Sequence, residues 1–583
     1  MNNINSLLRT GLAATLLFLI LSFSGTGQGL RVSAGTMVTE SGGTMILDGD
    51  LINFGSFVSM NSTVVFSGGT QTVGGSTPAA FDNIIVDDGS TVTLVTPGQV
   101  QSGILLCNGI LNSDGNLTLL SSDSFTALID GAGTGQVNGI VTMQRYLQSG
   151  FGYKYFSSPF QAALVSEFSD NMKLADPFPA FYSYDESRTT SGWVTYVDPA
   201  GLLSPMQGYA INFGDAATPM VFDVSGEVTN GPVSTTLYNH NNTYSQGFNL
   251  TGNPYPSPID WDAPSGWTKI NIDNGLYFFE ASTSDQYGGS YVTYLGGVSS
   301  NGLATNLIPS MQGFFIHVSN GAYPVSATLG MTNLVRVNDL THPLIKSEPE
   351  ARQLIRLSAE YSGDTLSRDP TVIYFDDKAT PDFDSQKDAL KLMNTDFYVT
   401  NFYSLGGDGR PLSINGLPPL TDSLFIVPLG LQLNMDGNII FRVRALEGEL
   451  GSMTLCFSDT VAKIKKDLVP DMTYTVELTE GKHNNRFFIE IRNKQTGIDD
   501  ETAEDPMFKI YSAHGIINLK ITRLAGSEGT LTLTALTGQP LLIEKFYEPG
   551  NYELNPGLKN GIYIATFISG GKTESEKLFV QGR

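Results

Sequence analysis

The sequence predicts an all-β, multidomain protein. Apolar and polar residues alternate in short runs along most of the chain, and Gly, Asn, Asp and Pro separate the runs. A length of 583 residues exceeds what one hydrophobic core usually organises. Only Ser385–Met393 has a helical pattern. The predicted units are a β-solenoid-like region at 28–140, two repeated β-modules at 141–237 and 238–335, a β-sandwich at 345–493, an acidic linker at 494–507 and a smaller β-sandwich at 508–583.

Residues 1–27 have the pattern of a signal peptide. Met1–Arg9 carries one positive charge, Leu12–Phe23 is apolar, and the small residues Gly25–Gly27 follow. The apolar run is shorter than the roughly 20 residues that span a bilayer. We therefore expect cleavage near Gly27 and no transmembrane segment in the mature chain.

The region 28–140 is predicted to be β throughout. It has no Lys or Arg between Val32 and Gln144, and turn residues recur every few positions. A parallel β-solenoid and an ordinary sandwich both fit this pattern, and the very short strands favour the solenoid. An uncovered solenoid end would pair with other chains. We therefore expect the first repeat module to cover the C-terminal end, entering through Val141–Tyr146.

An internal repeat is visible between residues 141 and 335. Gly152–Phe160 aligns with Gly247–Tyr255, and Phe181–Asp185 aligns with Leu276–Glu280, both at an offset of 95 residues. Two later matches continue the order at offsets of 98 and 105: Trp193–Tyr196 with Tyr291–Tyr294, and Met206–Tyr209 with Met311–Phe314. This pattern predicts a duplicated β-module in which the second copy has longer loops.

The segment 345–493 contains seven alternating runs, which predict a sandwich. Five of the eight residues Ile498–Asp505 are acidic. This composition is typical of a flexible linker between the sandwich and the last domain.

Charge and cysteine content exclude several classes of protein. The net charge of −24 and the lack of a basic patch argue against a nucleic-acid partner. Cys107 and Cys456 are far apart in the sequence, so a disulfide framework is excluded. Cys456 lies in an alternating apolar run and is expected to be a core thiol.

The sequence contains no recognisable catalytic motif, and no catalytic residue is assigned. The zincin, nucleophile-elbow and P-loop patterns are absent. The histidines are scattered without metal-ligand spacing, so each is expected in a loop or at the surface. They are His240, His317, His342, His483 and His514. These observations favour a non-enzymatic protein.

Carboxylates form the one candidate metal site. Six aspartates crowd the segment 369–388: Asp369, Asp376, Asp377, Asp382, Asp384 and Asp388. Oxygen ligands in a loop are what calcium prefers, although the order does not match an EF-hand. A solvated acidic loop is the simpler interpretation. A pair of glycosidase carboxylates stays open, because their separation is set in three dimensions.

Aromatic residues form the second candidate site. The repeat region places them in Pro/Gly-rich, loop-like contexts: Trp193, Trp261, Trp267, Tyr255 and Tyr287. Exposed rings would stack on sugars, whereas buried rings would only fill the core. Burial is the favoured interpretation.

The last 76 residues resemble the C-terminal sorting domain of type IX secretion system cargo proteins of Bacteroidetes, an Ig-like β-sandwich. The likeness is carried by Phe508–Tyr511, Leu536–Gln539, Gly561–Ile564 and Lys577–Val580. Ser512–His514 stands where that family usually has a Pro-Asn-Pro turn. The resemblance implies that the secretion machinery recognises 508–583, and that the protein reaches the outer-membrane surface or the medium.

The middle region resembles modules of large secreted Bacteroidetes surface proteins of undefined activity. The matching residues are Gly139–Tyr146, Gly252–Trp261 and the two Met-Gln-Gly segments. Together these features predict a surface-displayed β scaffold for adhesion or binding, with an extracellular glycan or another surface protein as partner. The alternative is a secreted protein that binds or degrades polysaccharide.

Overall fold

The computed structural model describes residues 29–175, 179–341, 352–363, 368–419, 424–448, 450, 453–493, 506–513 and 516–580. The elements whose bounds lie in these ranges are β-strands, together with the short 3₁₀ helices Val165–Phe168 and Asn333–Val335. The all-β prediction is confirmed. The predicted signal peptide, residues 494–505 of the predicted linker, His342 and His514 lie outside the described residues.

Residues 30–147 form a three-sided β-solenoid, which confirms the solenoid over the sandwich. Its strands are short because a turn residue interrupts each apolar run after a few positions. They are β1 Leu30–Val32, β2 Met37–Ser41, β3 Thr44–Leu47, β4 Leu51–Asn53, β5 Ser56–Met60, β6 Thr63–Phe66, β7 Thr70–Gly75, β8 Ala79–Phe81, β9 Asn83–Val86, β10 Thr91–Leu94, β11 Gln99–Gln101, β12 Ile104–Cys107, β13 Ile110–Asn112, β14 Leu117–Leu119, β15 Leu128–Ile129, β16 Gln136–Asn138 and β17 Ile140–Leu147. Every third strand joins the same parallel sheet, which gives the orders β1-β4-β7-β10-β13-β16, β2-β5-β8-β11-β14-β17 and β3-β6-β9-β12-β15.

Paired positions in successive coils are 21, 22, 21, 19 and 26 residues apart. This uneven spacing explains why no fixed period is visible in the sequence. Leu51, Val73 and Leu94 occupy one rung in successive coils and are buried. Burial of each such side chain contributes about 1.5–3 kcal/mol.

The repeat region contains two copies of one β-module. The strands of the first copy are β18 Tyr153–Phe156, β19 Phe160–Gln161, β20 Ala163–Leu164, β21 Phe181–Tyr184, β22 Trp193–Thr195, β23 Leu202–Leu203, β24 Tyr209–Asn212 and β25 Met220–Val228. Those of the second are β26 Val233–Asn239, β27 Phe248–Gly252, β28 Ile259–Asp260, β29 Trp267–Ile270, β30 Leu276–Ala281, β31 Gly289–Leu295, β32 Val298–Ser299, β33 Leu307–Ile308, β34 Gly313–His317 and β35 Val325–Met331. The sheets β18-β24-β21-β22 and β27-β34-β30-β31-β32 have matching strand orders. The predicted duplication is therefore present in the fold.

The two copies meet in a reciprocal way. Phe156 of β18 forms an antiparallel bridge with Gln312, and Thr251 of β27 forms the equivalent bridge with Gln207. Each bridge joins the same edge of one copy to the same turn of the other. The copies are thus related by a pseudo-two-fold arrangement.

Strand β17 connects the solenoid to the first copy. It pairs in parallel with β14 on one side and antiparallel with β25 over Ile140–Leu147 on the other. The module thus covers this solenoid end, as the sequence predicts for Val141–Tyr146. Arg145, the first cation after Arg31, is buried here, and burial lowers its pKa to about 10.

The sandwich is one sheet that curls around a core. Its strands are β36 Leu354–Tyr361, β37 Asp369–Phe375, β38 Ala389–Leu390, β39 Asn401–Leu405, β40 Pro411–Leu417, β41 Phe425–Leu433, β42 Gly437–Glu447, β43 Met453–Asp459, β44 Ile464–Asp467, β45 Thr473–Leu478, β46 Gly481–Lys482 and β47 Phe487–Asn493. The main path runs β44-β43-β47-β41-β39-β40-β37-β36-β42-β45, with β38 on β40 and β46 on β41. The first and last strands of this path, β44 and β45, approach each other, as the hydrogen bond of 3.1 Å from Lys466 Nζ to the Thr473 carbonyl shows. Inside, the Phe441 ring lies 4.7 Å from Phe487 and 5.2 Å from Phe457.

The predicted helix at Ser385–Met393 is wrong. Residues 385–387 form a turn, and Ala389–Leu390 pairs with β40. Asp388 accepts the Gly416 N–H at 2.7 Å, and Lys391 forms an ion pair with buried Asp369. These tertiary contacts hold the backbone extended. They outweigh the helix propensity of the segment, which differs between ordinary residues by only about a few tenths of a kcal/mol per residue.

The C-terminal domain is a separate small sandwich. Its strands are β48 Phe508–Ala513, β49 Ile516–Ile521, β50 Gly529–Ala535, β51 Pro540–Phe546, β52 Gly550–Leu554, β53 Gly561–Ser569 and β54 Lys572–Val580. They form the sheets β48-β49-β52 and β51-β50-β53-β54, with Phe508, Leu531 and Phe567 buried between them. Lys577 Nζ lies 5.5 Å from the ring centroid of Phe425, in the preceding sandwich.

One aromatic-rich core joins both repeat copies to the larger sandwich. Tyr155 of the first copy stacks on Phe279 of the second, with ring centroids 5.0 Å apart. The same cluster includes Val372 and Tyr374 on the outward face of β37. The three units therefore share buried apolar surface. Loops at the rim of this junction core are held on a common rigid base.

Candidate functional site

A groove lies where the second repeat copy meets the sandwich. It encloses about 230 Å³. Its lining comes from the β30–β31 hairpin and from Val399: Glu280, Ala281, Ser282, Thr283, Gly289, Ser290 and Val399. We call it the junction groove.

Asp396 fixes the groove by tying the two units together. One carboxylate oxygen accepts the Gly289 N–H at 3.0 Å, and the other accepts the Tyr398 N–H at 2.9 Å. Next to it, Asn394 Oδ1 accepts the Tyr291 N–H at 2.8 Å. Since a charged acceptor strengthens a hydrogen bond, Asp396 holds the hairpin and the 395–399 turn in one geometry.

Three large aromatic side chains are exposed on these two loops. Tyr287, Phe397 and Tyr398 are 54%, 53% and 55% exposed. The Phe397 and Tyr398 rings are 5.5 Å apart and nearly perpendicular. Tyr287 lies two residues before Gly289, and Phe397 and Tyr398 directly follow Asp396. The hydrogen bond between Gly289 and Asp396 therefore brings the two aromatic segments together.

The first repeat copy supports the same hairpin from its other side. Asn212 Nδ2 donates to the Gln286 carbonyl at 3.0 Å. Tyr153 and Tyr182 are partly buried neighbours, with ring centroids 6.3 Å apart. Burial raises the pKa of Tyr153 to about 12, with smaller contributions from Tyr182 and Tyr287. The Tyr153 hydroxyl, on the first-copy side of the hairpin, therefore stays protonated at neutral pH.

Glu280 supplies the charge of the groove. Desolvation by the groove walls raises the pKa of its carboxyl, and a hydrogen bond from Asn301 at 3.3 Å opposes this shift. Ser282, Thr283 and Ser290 add hydroxyl groups. Hydroxyl and carboxylate groups beside exposed rings offer hydrogen bonds and apolar faces to the same ligand. Polyhydroxylated rings have this combination of surfaces.

The predicted aromatic residues fall into three groups. Tyr255 and Trp261 are buried, which confirms the core interpretation for them. Trp193 and Trp267 are partly buried, and each packs against other rings, Tyr184 and Trp261 respectively. Tyr287 alone of the five is exposed, and it lies two residues before Gly289 of the groove lining.

The six aspartates do not assemble into a metal site. Asp369 is fully buried and paired with Lys391, and Asp376 pairs with Lys387 at 2.7 Å. Asp388 is also buried, and burial raises its pKa to about 7. The solvated-loop interpretation is therefore wrong for Asp369 and Asp388. Among the described residues, no three His, Cys, Asp or Glu side chains come close enough to hold a metal ion.

Two histidines, His317 and His240, are more buried than the sequence predicts. His317 is a buried strand residue, so its expected surface position is wrong. Its ring nitrogens contact Asp273 Oδ2 at 2.6 Å and the Gln246 carbonyl at 3.0 Å. His240 is partly buried and contacts buried Glu186 at 2.6 Å, across the two repeat copies. His483 makes a surface contact of 2.7 Å with the Thr479 carbonyl.

Both cysteines are free thiols. Cys107 is buried in the solenoid, and burial raises its pKa to about 11. Cys456 points away from the sandwich core and contacts Asp467 Oδ1 at 3.3 Å. The predicted core position of Cys456 is therefore wrong, because Leu455 and Phe457 occupy the inward positions of β43.

The sequence pattern did not indicate Asp396, Phe397 or Tyr398 as site residues. They fall in one of the seven alternating runs of the segment 345–493, the run over 396–405, whereas β39 begins only at Asn401. The turn formers Asn394, Thr395 and Asp396 before the two aromatics were the available signal.

Comparisons with known proteins give a family but no activity. The family model described as Domain of unknown function (DUF8693) matches residues 58–491. No curated protein matches the chain. A solved chain titled "Biofilm associated protein - BSP domain" is similar at 10% identity, covering 76% of this chain and 93% of that one, with a TM-score of 0.14. A score this low does not relate the two folds.

Within the described ranges, the model contains no helix with the length and apolar character needed to cross a membrane.

Proposed function

This chain belongs to the DUF8693 family, and we propose that it is an extracellular adhesion protein that binds carbohydrate at the junction groove. The family match begins within the solenoid and covers both repeat copies and nearly all of the sandwich, so it includes the second copy and the sandwich that build this groove. The proposed binding site therefore lies in the part of the chain that the family model matches, residues 58–491.

The observation that carries the proposal is the exposure of Tyr287, Phe397 and Tyr398 on a rigid base. Large aromatic side chains gain free energy when a ligand covers them, because their apolar area leaves water. Single exposed rings are common on protein surfaces, but these three lie on two loops joined by Asp396. Preorganised rings lose little conformational entropy on binding. Sugar rings present the flat C–H faces and hydroxyls that fit such a surface.

We further propose that residues 508–583 direct export through the type IX secretion system. The support is the sequence resemblance at Phe508–Tyr511 and Lys577–Val580, together with a small sandwich that has its own core. Deletion of 508–583 should leave the remaining chain in the periplasm. Surface display of this deletion at the level of the full chain would contradict the proposal.

The carbohydrate proposal is tested on the full secreted chain with a glycan array, followed by titration of the strongest binder. Tyr398→Ala and Tyr287→Ala should each weaken binding about tenfold, because each removes a stacking surface. Tyr244→Ala is the matched control, since Tyr244 is 68% exposed on a different loop. Equal binding by all three variants would contradict a role for the groove.

The polysaccharide-degrading alternative makes a different prediction. Glycosidases use two carboxyl groups on opposite sides of the scissile bond. Glu280 is the one carboxylate in the described lining of the junction groove. Release of reducing ends from a bound glycan, and its loss in Glu280→Gln, would favour the enzyme over the binding protein.

A further inference from the structure

A cluster of three arginines lies on the outward face of the sandwich around one buried glutamate. Arg442 Nε donates to Glu360 Oε1 at 2.6 Å, and Arg444 Nη2 donates to Glu360 Oε2 at 2.8 Å. Arg368 Nε lies 3.5 Å from Glu360 Oε2. Arg444 Nε also donates to Ser358 Oγ at 2.7 Å. We call Arg368, Arg442 and Arg444 the arginine patch.

The strand register explains why these residues meet. Ala359 pairs with Asp369, so Glu360 and Arg368 are cross-strand neighbours on β36 and the start of β37. Ser358 pairs with Arg442 on β42, on the other side of β36. Alternation along the strands places Ser358, Glu360, Arg368 and Arg442 on one face. The opposite face carries the core residues Ala359 and Phe441.

The patch has more positive charge than its internal partner neutralises. Three guanidinium groups contact one carboxylate, and Asp471 is a more distant negative neighbour of Arg444. Burial lowers the pKa of Arg444, and repulsion by Arg368 and Arg442 lowers it further. This local excess of cations occurs in a chain with a net charge of −24. A surplus of like charge held together by the fold is destabilising unless an anion compensates it.

The arginines are accessible while their anchor is not. The Glu360 side chain is 1% exposed, whereas Arg442, Arg444 and Arg368 are 31%, 27% and 48% exposed. Each guanidinium has five N–H donors, and the contacts to Glu360 and Ser358 use only one or two of them per arginine. The exposed parts of the three side chains leave further N–H groups facing solvent. Glu360 therefore orients the guanidinium groups without consuming their hydrogen-bonding capacity.

We propose that the arginine patch binds a carboxylate or sulfate group of an acidic polysaccharide. Planar guanidinium groups recognise such anions through paired, charge-assisted hydrogen bonds. A nucleic acid is the less favoured partner, because three clustered arginines form a compact patch and not the extended row of cations that follows a phosphate backbone. The site is separate from the junction groove, and the proposal does not depend on that groove.

The test uses the full secreted chain and four probes: dextran sulfate, polygalacturonate, neutral dextran and double-stranded DNA. Binding is measured by calorimetry at low salt. We expect binding of dextran sulfate or polygalacturonate, with the stronger of the two identifying the anion as sulfate or carboxylate. Neutral dextran reports binding that needs no charge.

Three variants separate the patch from general electrostatics. Arg368→Gln should weaken binding of the anionic probe about tenfold, because it removes the most exposed guanidinium and leaves Glu360 paired. Arg188→Gln removes the same charge from an exposed loop and should change binding little. Glu360→Gln keeps one side-chain oxygen that can accept from an arginine and removes the competing negative charge, so it should strengthen binding severalfold. Thermal unfolding of each variant checks that the fold is retained.

Several outcomes would overturn the proposal. They are the absence of binding to both anionic probes, equal losses in Arg368→Gln and Arg188→Gln, weaker binding by folded Glu360→Gln, and DNA binding as tight as that of the acidic polysaccharide. Tyr398→Ala serves as the variant of the junction groove. A loss of carbohydrate binding confined to Tyr398→Ala would leave the arginine-patch proposal standing. A loss of binding confined to Arg368→Gln would leave the groove proposal standing.

Discussion

Tyr155 and Tyr291 share a hydrogen bond of 2.9 Å between their hydroxyl oxygens, across the two repeat copies. Both residues are buried, and both contact Phe279 and Phe315 within the junction core. Burial is the main cause that raises the pKa of both phenols, to about 12 for Tyr291. The pair is therefore a neutral polar contact inside the surface that joins the modules.

This pair is expected to show non-additive energetics. Tyr155→Phe or Tyr291→Phe alone leaves one buried hydroxyl unsatisfied and should cost about 1–3 kcal/mol. The double variant removes both hydroxyls and should cost less than the sum of the two. Urea unfolding of the full chain measures all three, with Tyr244→Phe on the surface as control. Additive losses would show that the two hydroxyls do not depend on each other.

The buried ion pair of Lys391 and Asp369 predicts a large loss from a single substitution. The two side chains are 2% and 0% exposed, and Asp369 also accepts the Phe402 N–H at 2.5 Å. Lys391→Met leaves this carboxylate without its cation and should destabilise the sandwich by about 3–5 kcal/mol. Lys465→Met at the exposed pair with Glu490 should cost less than about 1 kcal/mol. Equal shifts in the unfolding midpoint would refute the distinction between these pairs.

A glycine in the solenoid tests the close stacking of its coils. A Cβ at Gly68 would lie 1.6 Å from the Asp48 carbonyl oxygen in the preceding coil. Gly68→Ala must therefore displace backbone and should cost about 1–3 kcal/mol. At Gly43 the nearest atom is the end of the flexible Glu40 side chain, at 3.0 Å, so Gly43→Ala should be mild. Thermal unfolding compares them, and similar midpoints would contradict the observed coil spacing.

The C-terminal domain should lose stability as the pH rises towards neutrality. Burial raises the pKa of Glu576 to about 7, although its carboxylate accepts the Ile510 N–H at 3.1 Å. In the unfolded chain a glutamate ionises near pH 4.3, roughly. Between these values the folded state holds a proton that the unfolded state has lost. The stabilisation is therefore complete below about pH 4 and falls as the pH rises through about 7.

Glu576→Gln keeps a hydrogen-bond acceptor for Ile510 and should remove this fall. Hydrogen exchange of residues 516–580, corrected for intrinsic rates at each pH, measures the effect. Parallel pH profiles for the two proteins would show that Glu576 is not the group responsible.

Limited proteolysis should cut first between Gln495 and Asp505. The acidic, polar composition of that segment predicts accessible backbone. The 140–147 segment should be spared, because β17 is hydrogen-bonded on both sides. Mass spectrometry of early fragments identifies the order of cleavage. Early cuts at 140–150 would overturn this division of the chain.

The sequence predicted the architecture because architecture follows from local patterns. Short apolar runs with frequent turns indicated the solenoid, and the two Met-Gln-Gly segments indicated the duplicated module. Met206 and Met311, which align in the repeat, both have a positive φ, of 66° and 63°. The two copies therefore share the backbone conformation of this turn. The helical pattern at Ser385–Met393 misled, since Asp388 and Lys391 are fixed by distant partners.

The candidate site was less accessible from the sequence. The junction groove depends on contacts between residues about a hundred positions apart, such as Gly289 with Asp396. The arginine patch depends on the register between β36 and β42. Neither leaves a local spacing that a single sequence displays.

The double pairing of β17 also limits which strand edges of the solenoid can pair with another molecule. One end of the coil stack is closed by the first repeat copy, because β25 occupies the free side of β17. The edge of β17 is therefore unavailable for pairing with a second molecule, whereas the same strand left uncovered could add strands from neighbouring chains and propagate into a fibre.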